Sequence, residues 1–505
     1  LNPLSTGLNV FAWLFIRLPL GFSLPFTAMS LWWVFGGFRL ANDDLATPLA
    51  TAVGSFLESR LPRFIDSALI AGLESFLHAA GVIALFALGF AAAYNIAAFL
   101  NWTLVTLKLK PVPYSAGPPQ VPDAGRVEDN PFKNIRRIGI VLAGGGAKGA
   151  YQAGAMKAIY RFLAQHAALE KVRVISSTSI GSWNALFWLS NLIKPESDWD
   201  GRSIHERWWR SISAKSLTAP SWYFPFFRNA FLSTLPWQQS FDRLFARQDV
   251  KRQLMDSTIH FYFTRSDVRS GQLNCATNNP TPPQIPRVSY ECLDAKRDPV
   301  AFLEGVKAGV FASMDLPPLF PYAQRGDRLF EDGGVIDNLP ITFPAVEGCD
   351  LIFILPLNSD FEQQPNQKSV LARLLRVMEV RQGVLERAGF KMLYLYNELA
   401  ALRHRIDAAA APVHDQGEHA YAPLTSALRR RNELINVFAI CPLKSFVEET
   451  INTRELWKRK ESGVAFEVMS DATANLLPDF DFQPQDSVRV ALVSRGGKVT
   501  WDEKF

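Results

Sequence analysis

Cysteine is scarce. The chain has four (Cys275, Cys292, Cys349, Cys441), far apart, with no C-x-x-C step and no Cys/His ligand spacing. That argues against a disulfide framework and against a zinc module. A dominant charge sign is also missing: 53 basic residues face 48 acidic ones, and no long basic tract gathers them. Nucleic-acid binding therefore has no compositional support. Charged residues of both signs make up only 20% of the chain, against 48% hydrophobic, with 37 Phe and 13 Trp. This excludes a disordered, collagen-like or charge-rich coiled-coil protein. No internal repeat is visible. What remains is a globular composition spread over 505 residues, too long for one ordinary core and suggesting more than one structural unit.

The apolar residues are unevenly spread. From Ser75 to Leu107 there are 33 residues without a Lys, Arg, Asp or Glu, beyond the ~20 a helix needs to cross the hydrocarbon core. A second greasy region covers residues 1 to 38, interrupted by Arg17 and carrying Pro19 and Pro25, which break or kink a straight helix. A secretory signal fits poorly, since no basic stretch precedes the apolar run. Lys108, Lys110, Arg126, Lys133, Arg136 and Arg137 follow the second run, and the positive-inside tendency puts that flank in the cytoplasm. The expectation is an integral protein of the cell membrane, of bacterial inner-membrane type, with a transmembrane helical region at its N-terminus. The segments expected are a membrane-anchoring helical region at 1–107, a Pro/Gly-rich linker at 108–134, an α/β core at 135–357, and a helical extension with closing strands at 358–505.

After the linker the texture changes. RRIGIVLA (136–143) reads as a buried strand ending in glycines, and a helical segment runs from Lys148 to Gln165. VRVISST (172–178) reads as a second strand, followed by the helical SWNALFWLSNL. Further strands are expected at 258–264, 351–357 and 435–440, and a helix at 371–406. Alternation of strand, tight turn and helix predicts a mostly parallel sheet flanked by helices. The Trp- and Arg-rich stretch 196–257 has no clean period and suits either a buried cap or a lipid-facing surface.

Chemistry concentrates in the turns. Gly144, Gly145, Gly146, Ala147, Lys148 and Gly149 form GGGAKG between a strand and a helix. Glycines there aim bare N–H groups at an anion, aided by the helix end. The loop fits neither nucleotide pattern: no Ser or Thr follows Lys148, and Glu170 precedes the second strand when it should close it. Ser177-Thr178-Ser179-Ile180-Gly181 has the nucleophile-elbow arrangement, a serine between strand and helix with small residues two before and two after. A serine needs a base. None of the seven histidines sits in a strand-end setting, whereas Asp332 in LFEDGGVIDNLP is left uncovered by Gly333 and Gly334. A carboxylate within hydrogen-bond reach could take the serine proton directly. Asp337, with no flanking glycine, reads as structural.

The three elements GGGAKG, STSIG and EDGG, in this order, resemble the patatin-like phospholipase family. FTRSDVRSGQLNCATN (263–278) and VKAGVFASMDLPPLFPYAQRGDRLFEDGGVIDNLPITFP (306–344) continue the likeness, which covers roughly 136 to 357. The resemblance implies a patatin-like α/β sheet and a Ser–Asp hydrolase that cleaves carboxylic esters of lipids through an acyl-enzyme, with no cofactor and no metal. Carried over by position, Ser179 is the nucleophile, Asp332 its base, and the amides around Gly145, Gly146 and Ala147 the oxyanion hole, where a Cβ on Gly145 or Gly146 is expected to be damaging. Lys148 fills the basic position beside that loop. Gly144, Gly149, Gly181, Gly333 and Gly334 complete the motifs, and Ser177 departs from them by standing where the family has glycine. With the apolar runs, the expected activity is a membrane-associated phospholipase or lysophospholipase whose partners are phospholipid substrate and bilayer. The alternative expectation is a lipid-binding or acyl-transferring membrane protein of the same fold.

Overall fold

A computed structural model describes residues 130–195, 201–212, 217–220, 230, 232–358, 370–410, 434–450, 459–482 and 488–502, with scattered helical positions between 51 and 99. The described strands, in chain order, are β1 (Ile138–Leu142), β2 (Val172–Thr178), β3 (Ala219–Pro220), β4 (Leu232–Ser233), β5 (His260–Asp267), β6 (Leu273–Thr277) and β7 (Val288–Cys292). They continue with β8 (Ala323–Arg325), β9 (Arg328–Asp332), β10 (Leu351–Leu355), β11 (Asn436–Pro442), β12 (Val490–Val493) and β13 (Val499–Asp502). The chain divides into two units. One comprises residues 1–112, 215–237 and 318–321; in it β3 and β4 pair antiparallel, and the Leu232 amide donates to the Leu319 carbonyl at 2.8 Å.

The other unit holds the large sheet. Its order is β13-β12-β11-β10-β1-β2-β5-β6-β7, with β9 paired to β5 and β8 to β9. β1 reads IGIVL and is buried along its whole length, as a strand in the middle of a covered sheet must be. The neighbours β10, β2 and β5 around it run parallel. The expectation of a mostly parallel sheet is corrected: β5 pairs antiparallel with both β6 and β9, as do β8 with β9 and β12 with β13, so the sheet is mixed. For β5 and β6 the reason is connection length. Gly271, at φ 65°, closes a tight turn by donating to the Asp267 carbonyl at 2.9 Å, and so short a link joins only antiparallel strands.

The helices that matter below are α1 (Gly149–Gln165), α2 (Ile180–Leu189), α3 (Ile204–Ser211), and, after α4 (Leu235–Leu244) and α5 (Gln248–Met255), α6 (Pro299–Met314). The chain closes with α7 (Thr342–Val346), α8 (Val370–Ala410), α9 (Lys444–Thr450) and α10 (Arg459–Leu476). All ten residues of α2 are buried. Trp183 on α2 meets Trp208 on α3 at a ring distance of 5.1 Å. Trp208 and Trp209 are fully buried, so this part of the Trp-rich stretch is core. α1 crosses α10 closely: a Cβ on Gly154 would fall 2.1 Å from the Phe466 carbonyl oxygen.

The expected N-terminal transmembrane region is also corrected. Among the described residues no helix is long and apolar enough to cross a membrane. An uncharged run is a statement about composition, whereas a span needs about 20 apolar residues in one continuous helix. Of the run 75–107, the described positions are Ser75, Phe76, His78, Ala79, Ala80, Gly81, Ile83, Asn95 and Phe99. The remainder, together with residues 1–50, lies outside the described residues. The expected integral-membrane location, and the cytoplasmic placement derived from it, lose their support with the span.

Candidate active site

β1 and β2 point the same way, so the loops that follow them emerge side by side at the carboxyl end of the sheet, where ligands bind in open α/β folds. Ser179 sits between β2 and α2 with φ 54° and ψ −126°. A non-glycine residue held there costs roughly 1–3 kcal/mol, so something must hold it. The Ser179 N–H donates to Ser313 Oγ on α6 at 2.8 Å, and the Ser179 carbonyl accepts from the Ser182 N–H at 2.9 Å. Gly181 has no room for a side chain, since a Cβ would lie 2.4 Å from the Leu142 carbonyl oxygen. Ser177, the departure from the motif, has a use for its hydroxyl. It donates to Ser182 Oγ at 3.1 Å, and Ser182 Oγ lies 3.0 Å from Ser313 Oγ. A chain of hydroxyls thus runs beneath the turn.

Asp332 ends β9 and is 2% exposed. Its register opposite Arg265 on β5 brings it level with the end of β2. The Ser179 hydroxyl lies near enough to the Asp332 carboxyl to lower its pKa, and the Asp332 Oδ1 accepts from the Gly334 N–H at 2.8 Å. Ser266 Oγ donates to its carbonyl at 2.9 Å, and its own N–H donates to the Asp315 carbonyl at 3.0 Å. Burial pushes the Asp332 carboxyl up to about 7, against the lowering effect of the neighbouring Ser179 hydroxyl and Gly334 N–H. The Asp315 carboxyl is driven well above its ordinary range, by burial first and then by the charge of Asp332. Asp337 has a structural setting: its Oδ1 accepts from the Leu339 N–H at 3.1 Å and its carbonyl from Thr178 Oγ1 at 3.0 Å.

The glycine loop lies against this pair. A Cβ on Gly144 would sit 2.9 Å from the Ser179 Cβ. Gly146 opens a single helical turn, Gly146–Lys148, whose first bond runs from the Lys148 N–H to the Gly145 carbonyl at 3.2 Å. The amides of Gly146 and Ala147 precede that bond and so have no partner within the turn. The two central glycines differ. Gly146 has φ 57° with open space where a Cβ would go, whereas a Cβ on Gly145 would meet Leu357 Cδ1 at 2.8 Å. Lys148 turns its Nζ to Asn358 Oδ1 at 2.7 Å.

The structure therefore brings Ser179, Asp332 and the GGGAKG loop together. Among the described residues the best-enclosed histidine lies elsewhere: His205 is fully buried, bonded through Nε2 to Asn184 Oδ1 at 3.0 Å, and burial lowers its pKa to about 3. His260 bonds Glu347 at the amino end of β5. Sequence reasoning missed Ser313, Asn338 and Glu386. Glu386 carried a readable signal, because it falls in the apolar period of Phe390, Leu393 and Ala400 on α8, all buried. A carboxylate in that period must find partners.

The model of the patatin-like phospholipase family matches residues 140–344. This supports a patatin-like phospholipase domain over that stretch and, with it, an enzyme of the hydrolase class acting on a lipid-type substrate. No curated protein matches. Among solved structures the chain is similar to VipD from Legionella pneumophila, at 15% identity over 68% of this chain and 67% of that one, with a TM-score of 0.31. The expected membrane-associated hydrolase is corrected accordingly. Membrane association has no support among the described helices, and the family match extends to lipolytic hydrolysis without itself locating a catalytic serine–aspartate pair.

Proposed function

We propose that Ser179 is the nucleophile of this hydrolase, Asp332 its base, and the amides of Gly145, Gly146 and Ala147 its oxyanion hole, with a phospholipid or lysophospholipid as the ester cleaved. The observation that carries this reading is the buried Asp332 carboxyl placed beside the Ser179 hydroxyl, at a strained strand–helix turn against which the glycine loop packs. Asp332 takes the hydroxyl proton as Ser179 Oγ attacks the ester carbonyl. The carbonyl oxygen becomes negative and is met by the loop amides, an arrangement worth about 3–4 kcal/mol per donor in the transition state. Departure of the alcohol or lysolipid, protonated by Asp332, leaves the acyl group on Ser179. Water, giving its proton to the same aspartate, then releases the fatty acid. A carboxyl poised at about 7 suits a group that must accept and return a proton near neutrality.

The test uses the full chain with micellar lysophospholipid. Ser179→Ala abolishes fatty-acid release with the melting temperature preserved, and a fluorophosphonate labels wild type at Ser179. Undiminished release by the Ala variant, or labelling of another serine at the wild-type rate, overturns the assignment.

A further inference from the structure

Helix α8 lies beyond the residues that the family model matches, yet one of its side chains reaches the site. Its buried face carries Glu386 in the same period as Phe390, Leu393, Asn397 and Ala400. Asn397 has a plain task, pairing with the N–H and carbonyl of Ile435 at the entrance to β11 at 3.0 and 2.8 Å. Glu386, earlier on the same face, has other partners. Its Oε1 accepts from Asn338 Nδ2 at 2.5 Å and from Asn358 Nδ2 at 3.0 Å.

Those two amides each hold one end of the glycine loop. Asn338 grips Gly144 twice: its carbonyl accepts from the Gly144 N–H at 3.3 Å, and its Nδ2 donates to the Gly144 carbonyl at 3.2 Å. Asn358 Oδ1 accepts from Lys148 Nζ at 2.7 Å. With both Nδ2 hydrogens of Asn338 committed, its Oδ1 is fixed between the two loops, 2.5 Å from where a Cβ on Gly144 would be and 2.7 Å from where one on Gly334 would be. Among the described residues that buried oxygen has no hydrogen-bond partner. An amide left free to rotate would turn it toward a donor, so an acceptor fixed on the Nδ2 side is what keeps the orientation.

Resting on the reading of Ser179 and Asp332 above, we propose that Glu386 is a positioning residue for the reaction: through Asn338 and Asn358 it fixes both ends of the GGGAKG loop relative to the aspartate loop. It touches no reacting atom. Its effect comes from holding Gly144, and with it the amides that follow, in the orientation the transition state requires. Small displacements of such donors cost turnover far more than they cost binding. Burial pushes the Glu386 carboxyl up to about 7, so near neutrality a neutral acceptor resembles what the site holds. Gln is therefore the conservative replacement.

The experiment measures kcat and KM of the full chain on a p-nitrophenyl acyl ester, with the rate of fluorophosphonate labelling at Ser179 and a thermal melt beside them. Glu386→Ala is expected to lower kcat and the labelling rate by about tenfold or more, with KM within about threefold. Glu386→Gln, which still accepts from both amides, stays within about threefold of wild type in kcat. Glu398→Ala, an exposed glutamate of the same helix, is the control and changes nothing. Wild-type kcat in a folded Glu386→Ala variant overturns the proposal. So does a Glu386→Gln variant as impaired as the Ala variant, because the charge and not the acceptor would then matter. Should Glu386→Ala fail to fold, Asn358→Ala removes one of the two amides and must still lower kcat; unchanged kcat there overturns the proposal equally. A Ser179→Ala variant that retains turnover defeats the underlying reading instead, and the two failures are told apart in one set of assays.

Discussion

Asp332 must be ionised to take a proton, yet it is buried where ionisation is unfavourable. Its folded-state pKa of about 7 stands above the ordinary 3.8, so the fold favours the protonated form. The stability this contributes is fully present below about pH 4 and is lost as pH rises through 7. Activity follows the opposite course: kcat/KM is expected to fall as pH drops through about 7. Asp332→Asn removes the base and the ionisation together. Its turnover falls by orders of magnitude, while its melting temperature gains on wild type by on the order of 5 °C between pH 4.5 and pH 8. A melting difference that stays constant with pH would refute the raised carboxyl. The two loop glycines give a second contrast. Gly146→Ala meets only the left-handed backbone penalty, about 1 kcal/mol, because its Cβ enters open space. Gly145→Ala must displace Leu357 and move an amide with it. Per folded molecule, kcat should fall about tenfold further for Gly145→Ala than for Gly146→Ala. Equal losses would remove the distinction.

At the scale of elements, the elbow was readable and its support was not. S-x-S-x-G states a local steric need, and Gly181 against Leu142 meets it. The strands β1 and β10 were readable for a similar reason, since a strand covered on both faces is apolar throughout. Ser313, whose Oγ takes the Ser179 N–H, lies 134 positions further along the chain, and no local pattern announces such a contact. The reversal at β6 was missed because alternating strands and helices predict parallel crossovers, whereas a short turn overrides them. Ser313→Ala leaves a buried N–H without an acceptor. It should destabilise the chain by about 1–3 kcal/mol and reduce kcat, measured by denaturant melts alongside turnover. Ser177→Ala loses only a donor to Ser182 and should cost less than half as much in the same melts.

At the scale of the molecule, the candidate site was legible well beyond what surrounds it. Three loops were read from their glycines. By contrast, helix α8 could be seen as a helix whose buried Glu386 needs partners without any sign of where those partners lie, and the N-terminal apolar runs gave composition without a described span. The matched stretch 140–344 is also less than a folding unit. β10 and β11 pair beyond β1 on one side of the sheet, and α10 packs on α1 within backbone contact. A fragment ending at residue 344 should show neither a cooperative melt nor fluorophosphonate labelling. A cooperative melt by that fragment would refute this.

The central position of β1 has a consequence for synthesis. This strand is the first of the large sheet to leave the ribosome, and on one side it can pair with β2 soon afterwards. Its other side waits for β10, whose register Ile138↔Leu351 through Leu142↔Leu355 is more than 200 positions away. At about 5–20 residues per second, the nascent chain carries an unpaired, wholly apolar edge for roughly 10–40 seconds. During that interval the growing chain carries an edge prone to pairing with other chains.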